Sequence, residues 1–508
     1  MRLRLTLPVT VLLVVLAACG GRADESAPDA GGTPIENGAD TAVPNAEVPI
    51  DPIQWGPCED LPAESPIRCA TLKVPYSYED PAIGAFSLHV KMRPADDASG
   101  RIGSMLVNPG GPGFGGSSLA PSANYYFSSS LLEVFDVVAW DPRGTGLSTP
   151  TVDCIDDYDP YFGLDSPPET EEERIALIDA TSDFNDQCSS RSGEILPWVS
   201  TQSSAQDMDS LRRALGEETI TFFGFSYGSE LGGTWATMFP NTVRAAVLDG
   251  ASDPNEPPLQ QALNQAAGFE QSLNTFLAAC SADVACEFHN GGDAEGAFDR
   301  LFVAIDEQPI MVSRERTAVT QGVAYVAVAQ AMYSDYLWPD LERALATAQR
   351  GNGSGLLKLY DDYYQRNEDG TYGNELEAFL AISCLDNRDV STVEEVEATV
   401  DQFIEVAPRF GANFAYGYTC ALWPVAGAKS VTVTAKGAGP IVVVGTTGDA
   451  ATPLESTKRL TASLDDGRLI VVEANRHTGY GANQCVVDAV DRYLIALALP
   501  TDGLVCSE

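Results

Sequence analysis

The stretch Ile220-Thr221-Phe222-Phe223-Gly224-Phe225-Ser226-Tyr227-Gly228-Ser229 decides the fold. Its first half is a continuous apolar run, as expected of a strand buried on both faces. Residues 231–238, which follow, have helical spacing. Between the two stands Gly224-Phe225-Ser226-Tyr227-Gly228, the one G-x-S-x-G of the chain. A strand that enters a helix through this pattern holds its serine on a sharp turn, hydroxyl exposed, at the helix N-terminus. The glycines are needed because side chains there would collide with neighbouring backbone. Ser226 is therefore the candidate nucleophile.

Working outward, similar apolar runs occur at 86–92, 104–108, 135–140 and 245–249, and again at 441–445 and 469–473. They alternate with helical stretches, the pattern of a doubly wound, mostly parallel sheet. With the elbow this predicts an α/β fold of the α/β-hydrolase type. Between 255 and 435 the pattern changes: 269–279, 297–306, 323–333, 341–350 and 393–406 have helical spacing and few strand signals. A large, mainly helical cap is expected there, over the strand ends where open α/β sheets bind ligands. The expected divisions are a signal peptide (1–18), a lipidated N-terminus and tether (19–50), a first core segment (51–254), the cap (255–435) and a C-terminal core segment (436–508).

A serine hydroxyl needs a base, and the chain has three histidines. His89 lies within a strand and His289 beside a cysteine loop of the insertion. His477 sits in the glycine-containing segment Asn475-Arg476-His477-Thr478-Gly479-Tyr480-Gly481, directly after the last expected strand, and is the expected base. Asp449, in the turn after the strand at 441–445, is the expected carboxylate partner; Asp249 is its rival and reads more simply as a turn residue. The order Ser226, Asp449, His477 is the order of this fold. A tetrahedral intermediate also needs two oxyanion donors. Tyr227 N–H is one. The second comes from Asn108-Pro109-Gly110-Gly111-Pro112-Gly113, where Gly110 or Gly111 can donate and Gly111 is preferred.

The motifs Pro109-Gly-Gly-Pro-Gly113, Asp141-Pro-Arg-Gly-Thr-Gly-Leu-Ser148, Gly224-Phe-Ser-Tyr-Gly228 and Gly448-Asp-Ala-Ala-Thr-Pro453 together resemble the proline iminopeptidase and tripeptidyl aminopeptidase family, over roughly 51–508. More narrowly, the chain is similar to the secreted or lipid-anchored tripeptidyl aminopeptidase-like hydrolases of actinobacterial envelopes. That resemblance implies serine-dependent release of short peptides from free N-termini, with Ser226, Asp449 and His477 as triad and Gly111 and Tyr227 as oxyanion hole. It implies a structural role for Asp141 and Arg143. Proline iminopeptidases carry His where this chain has Pro109, which favours the tripeptidyl branch.

An exopeptidase must recognise an α-ammonium group, and a carboxylate near the cap mouth would do so. Glu375, Glu377 and Asp386 are the cap acids considered, although a solvated surface is the simpler reading of any one of them. Two other functions fit the same sequence: a carboxylesterase or lipase acting on envelope esters, and, with the triad intact less economically, a non-catalytic ligand-binding lipoprotein.

The remaining features bear on location. Arg2 and Arg4, an apolar run over 5–16 and Leu16-Ala17-Ala18-Cys19 resemble a signal peptide ending in a lipobox, with Cys19 acylated. Residues 20–50 are rich in Gly, Ala, Asp, Pro and Asn, a tether of roughly 30 Å reach. Of eleven cysteines, setting Cys19 aside leaves Cys58, Cys69, Cys154, Cys188, Cys280, Cys286, Cys384, Cys420, Cys485 and Cys506. Their even number in an exported chain predicts disulfides, with sequence neighbours paired, rather than a metal site. The expected localisation is the outer face of the cell membrane, or secretion. The net charge of −42, from 72 acidic and 30 basic residues, disfavours nucleic acid as a partner. Peptide substrates, a membrane held through the lipid, a monomeric state and no cofactor complete the expectations.

Overall fold

The computed structural model describes residues 48–387 and 392–507. The expected leader, Cys19 and nearly all of the tether lie outside them. Nine strands form one sheet: β1 (Arg68–Pro75), β2 (Ala85–Arg93), β3 (Gly103–Asn108), β4 (Phe135–Trp140), β5 (Ile220–Phe225), β6 (Val243–Asp249), β7 (Ile441–Thr446), β8 (Gly467–Val472) and β9 (Leu504–Cys506). Their spatial order is β1-β2-β4-β3-β5-β6-β7-β8-β9. β1 and β2 pair antiparallel, as do β2 and β4; from β4 to β9 the neighbours are parallel. This is the α/β-hydrolase fold.

The helices that matter to the site are α1 (Glu171–Ser192), α2 (Thr201–Leu215), α3 (Tyr227–Met238), α4 (Pro258–Ala282), α5 (Glu375–Asp386), α6 (Tyr418–Ala421), α7 (Leu454–Ser463) and α8 (Gln484–Ala496). Strand alternation sorts the core into two layers. Leu106, Phe222, Leu248 and Val443 pack with Met208, Leu231, Trp235 and Leu460 of α2, α3 and α7. Met105, Val107, Phe223, Val247, Val442 and Val444 face the other way, onto Val486, Val490 and Leu494 of α8. Both faces of the central strands are thereby covered, which is why their sequences are apolar without interruption.

Between β6 and β7 the chain runs through successive helices, α4, α5 and α6 among them. The stretch 393–406, expected as one helix, is two short ones, Val393–Glu397 and Val400–Val406. A further helix joins this layer from upstream. α1 packs on α6, and the Asn185 side-chain amide donates to Thr419 O (3.1 Å). Disulfides brace the assembly at Cys58–Cys69, Cys154–Cys188, Cys280–Cys286, Cys384–Cys420 and Cys485–Cys506, each a pair of sequence neighbours. Cys384–Cys420 fastens α5 to α6. No helix among the described residues is long and apolar enough to cross a membrane.

Candidate active site

Ser226 lies between β5 and α3 with φ 54° and ψ −123°. A non-glycine residue at positive φ is strained, and such strain persists only where its surroundings enforce it. Here they do. Ser226 N–H donates to Asp249 O (2.7 Å), and Ser226 O accepts from Ser229 N–H (2.7 Å). A Cβ on Gly224 would lie 2.2 Å from Gly228 O, so the turn closes only with glycine.

His477 follows β8 on the loop the sequence suggested. Its Nδ1 lies 2.8 Å and 2.9 Å from the two carboxylate oxygens of Asp449. An ionised carboxylate can only accept, so Nδ1 carries the proton and Nε2 is the free basic nitrogen. Asp449 is itself oriented: Ala451 N–H and Thr452 N–H donate to Oδ1 (3.0 and 2.9 Å) and Thr452 Oγ1–H to Oδ2 (3.0 Å). His477 N–H donates to Tyr333 O (2.8 Å), and the Tyr333 ring meets the imidazole edge-on at 5.7 Å. The cap therefore holds the back of the imidazole.

Asp249 is the residue whose part the sequence understated. Its backbone carbonyl receives Ser226 N–H, while its buried carboxylate accepts from Gly479 N–H (2.7 Å) and Tyr480 N–H (2.8 Å) just beyond His477. One residue at the end of β6 thus ties the serine turn to the histidine loop. Next to it, a Cβ on Gly250 would lie 3.1 Å from His477 Cε1. Burial pushes the Asp249 carboxyl up to about 6 against the pull of these two amides. Ser226 Oγ and His477 Nε2 are both buried, and neither has a hydrogen-bond partner among the described residues. The bond between them is open in this conformation, as is common before substrate arrives.

The oxyanion side is narrowed as well. Gly110 N–H donates to the Asn108 side chain (2.9 Å), so of the two candidate glycines Gly111 is the one left to face a substrate. Gly111 has φ 116°, and a Cβ there would press on Gly113 N at 2.9 Å. Tyr227 N–H belongs to the first turn of α3 and has no intrahelical acceptor. Gly111, Tyr227 and Ser226 line one cavity of about 150 Å³ with Glu230, Gln265, Phe379 and Thr452.

Glu230, one turn into α3, was not singled out from the sequence. It lines that cavity and makes no hydrogen bond or ion pair among the described residues. Burial and the neighbouring Asp386 carboxylate push its own carboxyl up to about 8. Asp386, at the end of α5, accepts from Thr201 N–H (2.9 Å), and Thr201 Oγ1 in turn contacts Tyr227 OH. Burial raises Asp386 to about 6, opposed by the Thr201 donors. Glu375 and Glu377 do not share this place. They line a separate cleft of about 1120 Å³ with Lys91, Asp153 and Arg366. The reason is helical geometry: they begin α5 and Asp386 ends it, roughly 14–17 Å apart at 1.5 Å per residue. Glu377 is occupied by Cys154 N–H (2.7 Å) and Ile155 N–H (3.3 Å).

Asp141 and Arg143 support the loops. Asp141 accepts from Ser117 N–H (2.7 Å) and Leu147 N–H (2.8 Å). Arg143, fully buried, pairs with Asp207 through Nη2 (2.6 Å) and Nε (2.7 Å) and donates to Tyr76 O and Trp198 O. Of the other histidines, His289 Nδ1 contacts Cys280 O and His89 lies on β2; neither reaches the serine turn.

Fold and site define a serine hydrolase of the α/β-hydrolase class. A family model described as "alpha/beta hydrolase fold" matches residues 103–289, and one described as "TAP-like protein" matches 407–506. The chain is 33% identical over 479 residues to "Serine protease Hip1" of Mycobacterium tuberculosis, covering 90% of this chain and 91% of that protein. It is 34% identical over 524 positions to "Carboxylesterase B" of the same species, covering 98% of both. "Tripeptidyl aminopeptidase" of Streptomyces coelicolor is 28% identical over 474 residues, 90% of this chain and 86% of that one. The chain belongs to the TAP-like family of α/β-hydrolases.

Proposed function

We propose that the protein is an exported serine aminopeptidase, which removes short N-terminal fragments from peptides through an acyl-enzyme. Ser226 Oγ attacks the scissile carbonyl while His477 Nε2 takes its proton. Asp449 holds the imidazole tautomer and stabilises the imidazolium. Gly111 N–H and Tyr227 N–H receive the oxyanion. His477 then returns the proton to the leaving amine, and water attacks the ester by the reverse path. The observation that carries the reading is the serine at positive φ in one cavity with Glu230, a carboxylate that has no partner among the described residues and stands near Asp386. A half-buried carboxylate with no cationic partner among the described residues suits a substrate ammonium. Neither acid helps an ester of a neutral alcohol. The relative named as a carboxylesterase keeps that second reading in the test.

Export rests on the Cys19 segment and on five disulfides, which persist in oxidising compartments. Lipid labelling of the full chain should be lost in Cys19→Ala.

The deciding experiment is a panel of free and N-acetylated peptide p-nitroanilides beside p-nitrophenyl esters, run on wild type and Ser226→Ala. Free peptides should lead the panel and Ser226→Ala should be inert to fluorophosphonate labelling. Equal cleavage of acetylated peptides would refute the aminopeptidase reading. Full activity of Ser226→Ala would refute the site.

A further inference from the structure

We infer that Asn108 is the positioning residue of the oxyanion hole: its carboxamide is the wedge that sets Gly111 N–H against Tyr227 N–H. The inference rests on these two donors and holds for a peptide or an ester substrate alike. Asn108 ends β3 and is 1% exposed. Its neighbour across the sheet is Gly224, the first glycine of the serine turn. The oxyanion turn and the elbow therefore leave the sheet level with each other. What remains to be set is how far apart they stand once they have left it.

The Asn108 side chain lies in that gap and touches both turns. On one side its Oδ1 accepts Gly110 N–H (2.9 Å), an Asx turn that closes over Pro109. The next peptide carries Gly111 N–H. On the other side stands Gly228, directly after Tyr227. A Cβ on Gly228 would lie 3.0 Å from Asn108 Oδ1 and 3.1 Å from Asn108 O, closer than side-chain carbons ordinarily come. One oxygen thus holds the residue before the first donor and abuts the residue after the second. Oxyanion stabilisation depends on donors fixed before the charge develops, and a misplacement of about 1 Å costs on the order of 100-fold. An alanine at 108 leaves Gly110 N–H without its acceptor and the gap unfilled, so both donors lose their common stop. Asn108 does not line the cavity that holds Ser226, so it acts through the two donors and not on the substrate.

The test compares wild type, Asn108→Ala, Gly228→Ala and the double variant on Ala-Ala-Ala-p-nitroanilide and on p-nitrophenyl acetate. The end point of fluorophosphonate labelling counts folded sites, so that rates are expressed per reactive serine. Asn108→Ala should lower kcat about 10- to 100-fold and leave KM within roughly threefold of wild type. The rate of fluorophosphonate labelling should fall by a similar factor, because the phosphonyl oxygen turns to the same two donors. Gly228→Ala pushes on the carboxamide from the far side and should show the same split between kcat and KM; it serves alone if Asn108→Ala does not fold. Since both substitutions act on one contact, the double variant should lose less than the product of the single losses. Either single variant with kcat within roughly threefold of wild type overturns the inference, and so does a loss carried by KM. Single losses that multiply in the double variant overturn the wedge. None of these outcomes turns on whether peptide or ester is the better substrate, so the aminopeptidase reading stands or falls separately.

Discussion

Replacing Asp249 by Asn should make the protein less active without making it less stable at alkaline pH. The carboxylate accepts from Gly479 N–H and Tyr480 N–H, and an amide side chain has one acceptor oxygen for these two donors. One amide of the histidine loop therefore loses a bond to a charged acceptor, about 1.5–3 kcal/mol. If that energy is what keeps His477 aligned, kcat falls roughly 10- to 100-fold while KM changes little. Stability moves differently. The Asp249 carboxyl is raised to about 6 by burial, so the fold favours its protonated form. Its stabilising contribution is present below the unfolded value near 3.9 and is lost as pH rises through about 6, roughly 3 kcal/mol in all. Asn imitates the protonated acid and has no such loss. Chemical denaturation at pH 4.5 and pH 8 should find Asp249→Asn near wild type at the lower pH and no less stable at the higher. Asp449→Asn is the control: it removes the imidazole's own partner and should cost about 10⁴ in kcat. Wild-type kcat in Asp249→Asn would refute the positioning role. Should Asp249→Asn be the more damaging of the two, the carboxylates have been assigned the wrong way round.

Other elements make further predictions. Arg143→Met leaves Asp207 buried without its cation and should cost about 3–5 kcal/mol in denaturant unfolding; Arg143→Met/Asp207→Leu should recover much of it. Removing Cys384–Cys420 by the double alanine variant opens a loop of 36 residues and should lower stability by about 4 kcal/mol. Because that bond fastens α5, which walls the cavity through Phe379 and Ser383, KM for peptides should rise with it. With Glu230 held protonated up to about 8 by burial and Asp386, kcat/KM for free peptides should climb from pH 6 to 8. Above that it falls as substrate amines, near 7.7–8.0, lose their charge. Tyr227 on the same helix and Asp386 on α5 face the same place. Glu230→Gln should climb less steeply than wild type, measured as initial rates at fixed ionic strength.

The sequence disclosed those parts whose chemistry is local. Ser226 stands on a turn that glycine alone permits, and Asp449 and His477 each follow a strand directly, so spacing was enough to find them. β1 escaped because its face is half polar: Arg68, Thr71 and Lys73 interrupt the apolar residues of an edge strand. β9 is three residues long and has no pattern to read. α1 is polar on nearly all sides and held by other means. The Thr170–Glu173 capping box starts it, and Phe184, Asn185, Cys188 and Ser192 alone are buried. The acids at the cavity show the same division. A carboxylate for the substrate amine was sought in the cap, where acids are many and α5 spreads them over two clefts. Glu230 was legible all along as the fourth residue after the serine, on the face of α3 that turns toward it. What could not be read was its lack of a partner among the described residues, because an ion pair depends on the whole surroundings of a side chain. That is why the serine's chemistry could be argued from short motifs, while the group that would meet a substrate terminus depends on how α3 and α5 meet.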